Sequence, residues 1–125
     1  MKLSELDVLI VDDHEAMRVM LARVLVRAGV TQVRMAGSGM EALALMAARP
    51  ASLVLADQRM PGMDGLSFVM AVRGEESLRG ARIIVISGAS DTAHFDAARE
   101  AGADAVLVKP VSPRALLEAI EGVFA

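Results

Sequence analysis

The sequence predicts a doubly wound α/β fold in which five helices cover a five-stranded parallel sheet. Five times along the chain, a short apolar run is followed by a loop, an amphipathic stretch and a Gly or Pro. This alternation is typical of βα units that wind a parallel sheet. The length of 125 residues, 54% of them hydrophobic, suffices for one core but not for two. We therefore expect one domain over residues 1–125.

The apolar runs predict the strands. The third run is apolar on both faces, as expected of a central strand with helices above and below it. The fourth run, Arg-Ile-Ile-Val-Ile, has the clearest strand composition. The predicted strands span residues 7–11, 33–36, 52–56, 82–86 and 105–108.

Helical periodicity and stop signals predict the helices. In the first helix the apolar residues recur at i, i+3, i+4 and i+7, the spacing of one helix face. The helices are predicted over about residues 17–28, 40–49, 66–73 and 92–101, and from 113 onward. The predicted caps and stops are Gly29, Pro50, Gly102, Ser90 or Asp91, and Ser112 followed by Pro113.

Composition excludes several classes of function. The chain has no Cys, which excludes disulfides, thiolate zinc sites and Cys nucleophiles and agrees with a cytoplasmic location. No stretch free of charged residues exceeds eight residues, whereas a membrane span needs about 20. A net charge of −3 with three Phe and no Tyr or Trp does not favour nucleic-acid binding.

Polar side chains follow four of the five predicted strands. Asp12 and Asp13 come after the first strand, Asp57 after the third, Ser87 after the fourth and Lys109 after the fifth. In an open parallel sheet, ligands bind beyond the carboxyl ends of the strands, where the winding reverses. With the flavodoxin-like strand order 2-1-3-4-5, these five side chains are expected to converge on one crevice.

The residue types in this crevice indicate phosphoryl chemistry. Three clustered carboxylates repel one another, and Mg²⁺ relieves that repulsion in many phosphate sites. Lys109 and Ser87 are suited to bind phosphoryl oxygens, and the small Gly88 leaves room for a bulky donor. With Asp57 as nucleophile, the crevice could form an acyl phosphate by in-line transfer.

These motifs resemble the receiver domain of two-component response regulators, most closely the single-domain, CheY-like members. The resemblance covers essentially the whole chain in order. It rests on Val11-Asp12-Asp13, on Asp57-x-x-Met60-Pro61-x-Met63-Asp64-Gly65, on Ser87-Gly88 and on Lys109-Pro110.

The resemblance implies a role for each matching residue. Asp57 would be the phosphoacceptor, and Asp13 and Asp57 would bind Mg²⁺ directly. Asp12 would act through a water molecule, and the backbone carbonyl of Arg59 would complete the metal site. Ser87 and Lys109 would contact the phosphoryl group.

The resemblance also implies a cis peptide bond and two kinds of partner. The Lys109-Pro110 bond is expected to be cis. The phosphodonor would be a histidine kinase or a histidine phosphotransfer protein, and the receiver would switch its binding to an unknown output protein. Neither a membrane nor direct nucleic-acid contact is expected.

Two positions depart from the common family pattern. Val106 stands where many members carry the aromatic residue that swings inward on activation, so that rotamer switch is absent here. The positions that tune dephosphorylation in the family hold Arg59 and Ala89.

Three alternatives remain open at this point. The chain could be a receiver excised from a larger regulator, a receiver fold that no longer accepts phosphate, or a phosphatase of the haloacid dehalogenase type. The phosphatase would be expected to carry a second Asp two residues after its nucleophile, where this chain has Arg59.

Some polar residues have simpler interpretations. Asp64 precedes Gly65 and is interpreted as a turn or helix cap rather than a ligand. His14 could bind metal or transfer protons, but its position favours an exposed residue of the loop or first helical turn. Arg18, with the neighbouring Arg23 and Arg27, is expected on a solvated helix face, with docking of an acidic phosphodonor as the alternative.

Overall fold

The computed structural model describes residues 1–88 and 93–125. After a short 3-10 turn at Leu3–Glu5, strands and helices alternate along the chain. The strands are β1 (Asp7–Val11), β2 (Gln32–Ala36), β3 (Leu53–Asp57), β4 (Arg82–Ser87) and β5 (Ala105–Val108). The helices are α1 (Glu15–Ala28), α2 (Gly39–Ala48), α3 (Gly65–Gly74), α4 (Ala93–Ala101) and α5 (Pro113–Val123).

The five strands form one parallel sheet in the order β2-β1-β3-β4-β5. β3 lies at its centre, and all five of its residues are buried. This arrangement confirms the predicted fold class and strand order. Within the described residues, no helix combines the length and apolarity that crossing a bilayer requires.

Alternating strand residues build a separate core on each face of the sheet. On one face Leu9, Val54 and Ile83 lie under α2, α3 and α4, where Phe68 is the largest fully buried side chain. The core on the other face lies under α1 and α5 and includes Val8, Ile10, Leu55, Ile84, Leu21, Leu25, Leu116 and Ile120. Each such side chain contributes about 1.5–3 kcal/mol when fully buried, so the sheet is held firmly from both sides.

Most helix ends form as predicted. Gly29 ends α1 with φ of +115°, and the Ser112 hydroxyl accepts a hydrogen bond from the Ala115 N–H beside Pro113. The predicted caps Ser90 and Asp91 lie outside the described residues. The third strand begins at Leu53 rather than at residue 52, where the Ser52 hydroxyl accepts the Asp7 N–H at 2.7 Å.

Candidate functional site

Four strand ends bring the polar side chains to one edge of the sheet. Asp57 is the last residue of β3 and Ser87 the last residue of β4, while Asp12 and Asp13 follow β1 and Lys109 follows β5. One carboxylate oxygen each of Asp12, Asp13 and Asp57 lies within 4.8 Å of the others. The structure thus brings together the acidic residues proposed from the sequence.

Asp57 belongs to this cluster and is only 2% exposed. Its Oδ1 accepts a charged contact from Lys109 Nζ at 2.9 Å, and its buried Oδ2 has no hydrogen-bond partner among the described residues. Burial raises the pKa of Asp57 above its ordinary value; the hydrogen bond from Lys109 opposes this, and the charges of Asp12 and Asp13 add to it.

Asp12 and Asp13 differ in their surroundings. Asp12 is 2% exposed and its Oδ1 accepts the His14 N–H at 2.8 Å. Its carbonyl oxygen accepts a bond from Arg18 Nη1 at 2.7 Å. Asp13 is partly exposed, but its Oδ1 is buried and lacks a hydrogen bond within the described part of the chain. The backbone and Arg18 therefore fix Asp12, whereas Asp13 Oδ1 is not hydrogen-bonded within the described residues and lies 3.1 Å from His14 Nδ1.

Ser87 and Lys109 are held side by side by the sheet. The Lys109 N–H donates to the Ser87 carbonyl at 2.8 Å, and the Lys109-Pro110 peptide bond is cis, as the resemblance predicts. The Ser87 hydroxyl is buried and has no hydrogen-bond partner among residues 1–88 and 93–125. Within the described residues, this hydroxyl therefore keeps a hydrogen-bond donor that no other group uses.

The remaining predicted residues lie in the loop after β3, on β5 and at the start of α3, or outside the described residues. Arg59 lies in the loop between β3 and α3 with its side chain exposed, and the role of its carbonyl remains a prediction. Val106 is half-buried on β5 and packs against the core under α4. Asp64 caps α3 by accepting the Ser67 N–H at 2.8 Å, which confirms it as a cap. Ala89 lies outside the described residues.

Two features escaped the sequence analysis. Arg18 was expected to be solvated, which is wrong: it is half-buried, because its guanidinium reaches the Asp12 carbonyl. Gly65 is required by close packing, since a Cβ there would lie 2.8 Å from the Asp57 carbonyl oxygen and 2.9 Å from Gln58 Cα. Glycine at the start of α3 thus allows the helix to pack directly against the backbone of Asp57.

The donor set fits a hard divalent cation. Three buried oxygens at these strand ends, Asp13 Oδ1, Asp57 Oδ2 and Ser87 Oγ, have no hydrogen-bond partner among the described residues. Mg²⁺ prefers oxygen ligands and commonly uses one or two carboxylates together with a phosphate. A cation near Asp13 and Asp57 would offset the repulsion among the three carboxylates.

Comparison with known proteins gives the family. Residues 8–121 match the family model for the response regulator receiver domain. The chain belongs to the response regulator receiver family. A probable chemotaxis protein CheY of Rhizobium etli is 37% identical to this receiver over 97% of the chain and 94% of the relative. The chemotaxis protein CheY of Pseudomonas aeruginosa is 31% identical over 94% of each.

Solved structures agree with this assignment. The chemotaxis response regulator CheY4 of Vibrio cholerae has a TM-score of 0.87 and 32% identity, and the match covers 94% of this chain and 98% of that protein. The crystal structure of FixJ-N gives a TM-score of 0.85 and 32% identity, over 95% of this chain and 93% of that one. The chain is therefore a CheY-like receiver, a domain that acts as a switch, and the phosphatase alternative is not favoured.

Proposed function

We propose that Asp57 accepts a phosphoryl group from the phosphohistidine of a histidine kinase or histidine phosphotransfer protein, in a Mg²⁺-dependent reaction. The observation that carries this proposal is the carboxylate of Asp57, buried, with one oxygen paired to Lys109 and the other without a partner among the described residues. The paired oxygen orients the group, and the unpaired oxygen is available to attack phosphorus.

The transfer itself needs position and charge rather than an acid or base. An Asp57 oxygen forms a bond to phosphorus while the bond from phosphorus to the donor imidazole nitrogen breaks and its electron pair returns to that nitrogen. Lys109 Nζ and the Ser87 hydroxyl would donate hydrogen bonds to phosphoryl oxygens, which the Lys109–Asp57 contact at 2.9 Å and the unpartnered Ser87 Oγ within the described residues support.

The acidic residues would contact Mg²⁺ in two ways, directly and through water. Asp13 and Asp57 would hold Mg²⁺ directly, with the Arg59 carbonyl, and Asp12 would act through water. Bound Mg²⁺ supplies positive charge that stabilises the transferring phosphoryl group. Arg18 keeps the Asp12 backbone in place through its 2.7 Å bond.

The same site would also release the phosphoryl group. A water oxygen bonds to phosphorus as the bond to Asp57 breaks, which gives inorganic phosphate and restores the carboxylate. Arg59 lies two residues after Asp57 with its side chain exposed, so it is placed to affect access of water to this face.

Phosphorylation would switch binding to an output protein through Ser87 and Lys109. Both side chains would turn to the phosphoryl group. Val106 is aliphatic, so the switch cannot involve the rotation of an aromatic side chain at this position. A preference of a few kcal/mol for one state suffices to change partner binding.

The test uses a small phosphodonor, acetyl phosphate or phosphoramidate, with intact-mass spectrometry. With Mg²⁺ we expect the mass of one phosphoryl group on the wild-type chain, and none in Asp57→Asn or after chelation of the metal. Asp64→Asn is the matched control, because Asp64 caps α3 by accepting the Ser67 N–H and asparagine can also cap. Undiminished labelling of Asp57→Asn would refute the proposal.

A further inference from the structure

The His14 side chain contributes neither to the cap of α1 nor to the core. The residue occupies the N-cap position of α1, yet its side chain makes no capping hydrogen bond. The side chain is 70% exposed, and its Nδ1 nevertheless lies 3.3 Å from Asp12 Oδ1 and 3.1 Å from Asp13 Oδ1. Most of the ring therefore lies in water, while its Nδ1 contacts two carboxylates.

A hydrogen bond does not account for the closer of these contacts. Asp13 Oδ1 has no hydrogen-bond partner in the described chain, although Nδ1 lies only 3.1 Å away. Two atoms bound at about 2.0–2.2 Å to one first-row metal ion lie roughly 3.0–3.5 Å apart when they are neighbours in its coordination shell. The distances from Nδ1 to both carboxylates fall in this range.

A second observation points to a ligand at the same place. Asp57 is 2% exposed and its Oδ2 has no partner among the described residues. One ligand atom from each of Asp12, Asp13, His14 and Asp57 lies within 4.8 Å of the others. The imidazole nitrogen therefore belongs spatially to the carboxylate cluster.

We infer that His14 Nδ1 is a nitrogen ligand that adapts this cluster to bind Zn²⁺, or a similar first-row transition-metal dication, in addition to Mg²⁺. The inference rests on the metal site of the proposed function. Imidazole is a good ligand for Zn²⁺ and Ni²⁺, whereas Mg²⁺ prefers oxygen and is served by the carboxylates alone. His14 thus adds affinity for one class of ion and leaves Mg²⁺ binding nearly unchanged.

Nitrogen NMR tests direct ligation. Long-range proton–nitrogen spectra of the whole chain resolve the imidazoles of its two histidines, His14 and His94. Zn²⁺ should shift the Nδ1 resonance of His14 and leave that of His94 in place, and Mg²⁺ should move neither nitrogen to that extent. A His14 Nδ1 that does not respond to bound Zn²⁺ would show that the imidazole is only a counter-ion of the carboxylates, and would overturn the inference.

Metal affinity provides the second arm. Loss of a group that merely supports a metal ligand typically costs about 10–100-fold in affinity, so His14→Ala should weaken Zn²⁺ binding by at least about tenfold. Mg²⁺ affinity should stay within about twofold, and His94→Ala should change neither. Because His14 is 70% exposed, alanine at this position removes no core packing.

The outcomes separate this inference from the proposed function. If Mg²⁺ binds and Asp13→Asn abolishes that binding, but His14→Ala alters Zn²⁺ and Mg²⁺ affinity equally, only the role of His14 fails. If Mg²⁺ does not bind the wild-type chain at all, the metal site of the proposed function fails, and the inference that rests on it fails as well.

Discussion

Replacing Asp57 with Asn should make the receiver more stable at pH 7 when divalent metals are chelated, although the substitution removes an ion pair. Asp57 is 2% exposed, and its ligand oxygen lies within 4.8 Å of those of Asp12 and Asp13. The negative charges of Asp12 and Asp13 repel that of Asp57, whereas Lys109 Nζ at 2.9 Å attracts it. Burial of the carboxylate adds to the two repulsions, because it penalises the charged form of Asp57.

Coulomb's law gives the scale. At an effective dielectric constant of about 20, two unit charges repel by about 3.5 kcal/mol at 4.8 Å and attract by about 6 kcal/mol at 2.9 Å. Two repulsions therefore exceed one attraction by about 1 kcal/mol. Lys109 is 35% exposed, so water weakens its attraction further. We expect Asp57→Asn to raise the free energy of unfolding by about 1–2 kcal/mol.

The pH dependence has a definite sign. Burial raises the pKa of Asp57 in the folded chain above the 3.8 of a free Asp side chain, so between these two pKa values the folded state binds more protons than the unfolded state. The wild-type chain thus loses stability as pH rises through this window. The advantage of Asp57→Asn should be small at a pH of about 3.5 and largest above the folded pKa.

Urea unfolding followed by circular dichroism, with a chelator present, measures this effect. The matched control is Glu76→Gln, which removes an exposed charge in the loop after α3 and should change stability by less than about 0.5 kcal/mol. Saturating Mg²⁺ should stabilise the wild type more than the variant. A metal-free Asp57→Asn chain less stable than wild type at pH 7 would refute this electrostatic account of the cluster.

Three further predictions concern the surroundings of the site. Gly65→Ala should destabilise the fold and slow phosphorylation, since the new Cβ would lie 2.8 Å from the Asp57 carbonyl oxygen. The control Gly74→Ala lies at the other end of α3, where a Cβ would meet nothing within 4 Å, and should change stability by at most about 1 kcal/mol. Equal effects of the two substitutions in thermal unfolding and in phosphoryl labelling would contradict this prediction. Arg73→Ala should lower the free energy of unfolding in urea by about 2–4 kcal/mol, because Arg73 donates to three carbonyls and to Asp104 Oδ2. A decrease below about 0.5 kcal/mol, the usual effect of replacing an exposed residue, would contradict this prediction. Lys109→Met should keep Mg²⁺ binding by calorimetry but slow phosphorylation by acetyl phosphate at least about tenfold, and an unchanged rate would exclude Lys109 from the reaction.

Local signals explain why so much of the fold could be predicted. Gly29 ends α1 and Ser112 caps α5 through contacts within one helical turn. The apolar run of β3 itself predicts that both faces of this strand are buried. The convergence of Asp57 with Asp12 followed from a rule about the carboxyl ends of parallel strands. None of these inferences needed a contact between distant side chains.

Contacts across the fold were not predictable in this way. The Arg18 guanidinium meets the Asp12 carbonyl only because α1 packs at a particular angle, and periodicity placed Arg18 on the solvated face. Asp7 pairs with Arg34 and Arg49, which come from the neighbouring strand and from the end of α2. Such contacts depend on how strands and helices lie against one another, which periodicity does not encode.

The most direct test of the central claim is to locate the phosphoryl group. After phosphorylation with Mg²⁺ and acetyl phosphate, borohydride converts an aspartyl phosphate to homoserine, and peptide mass spectrometry identifies the modified residue. We predict a single modification at Asp57. Modification at Asp12 or Asp13 instead, or a phosphoryl group on His14, would contradict the account.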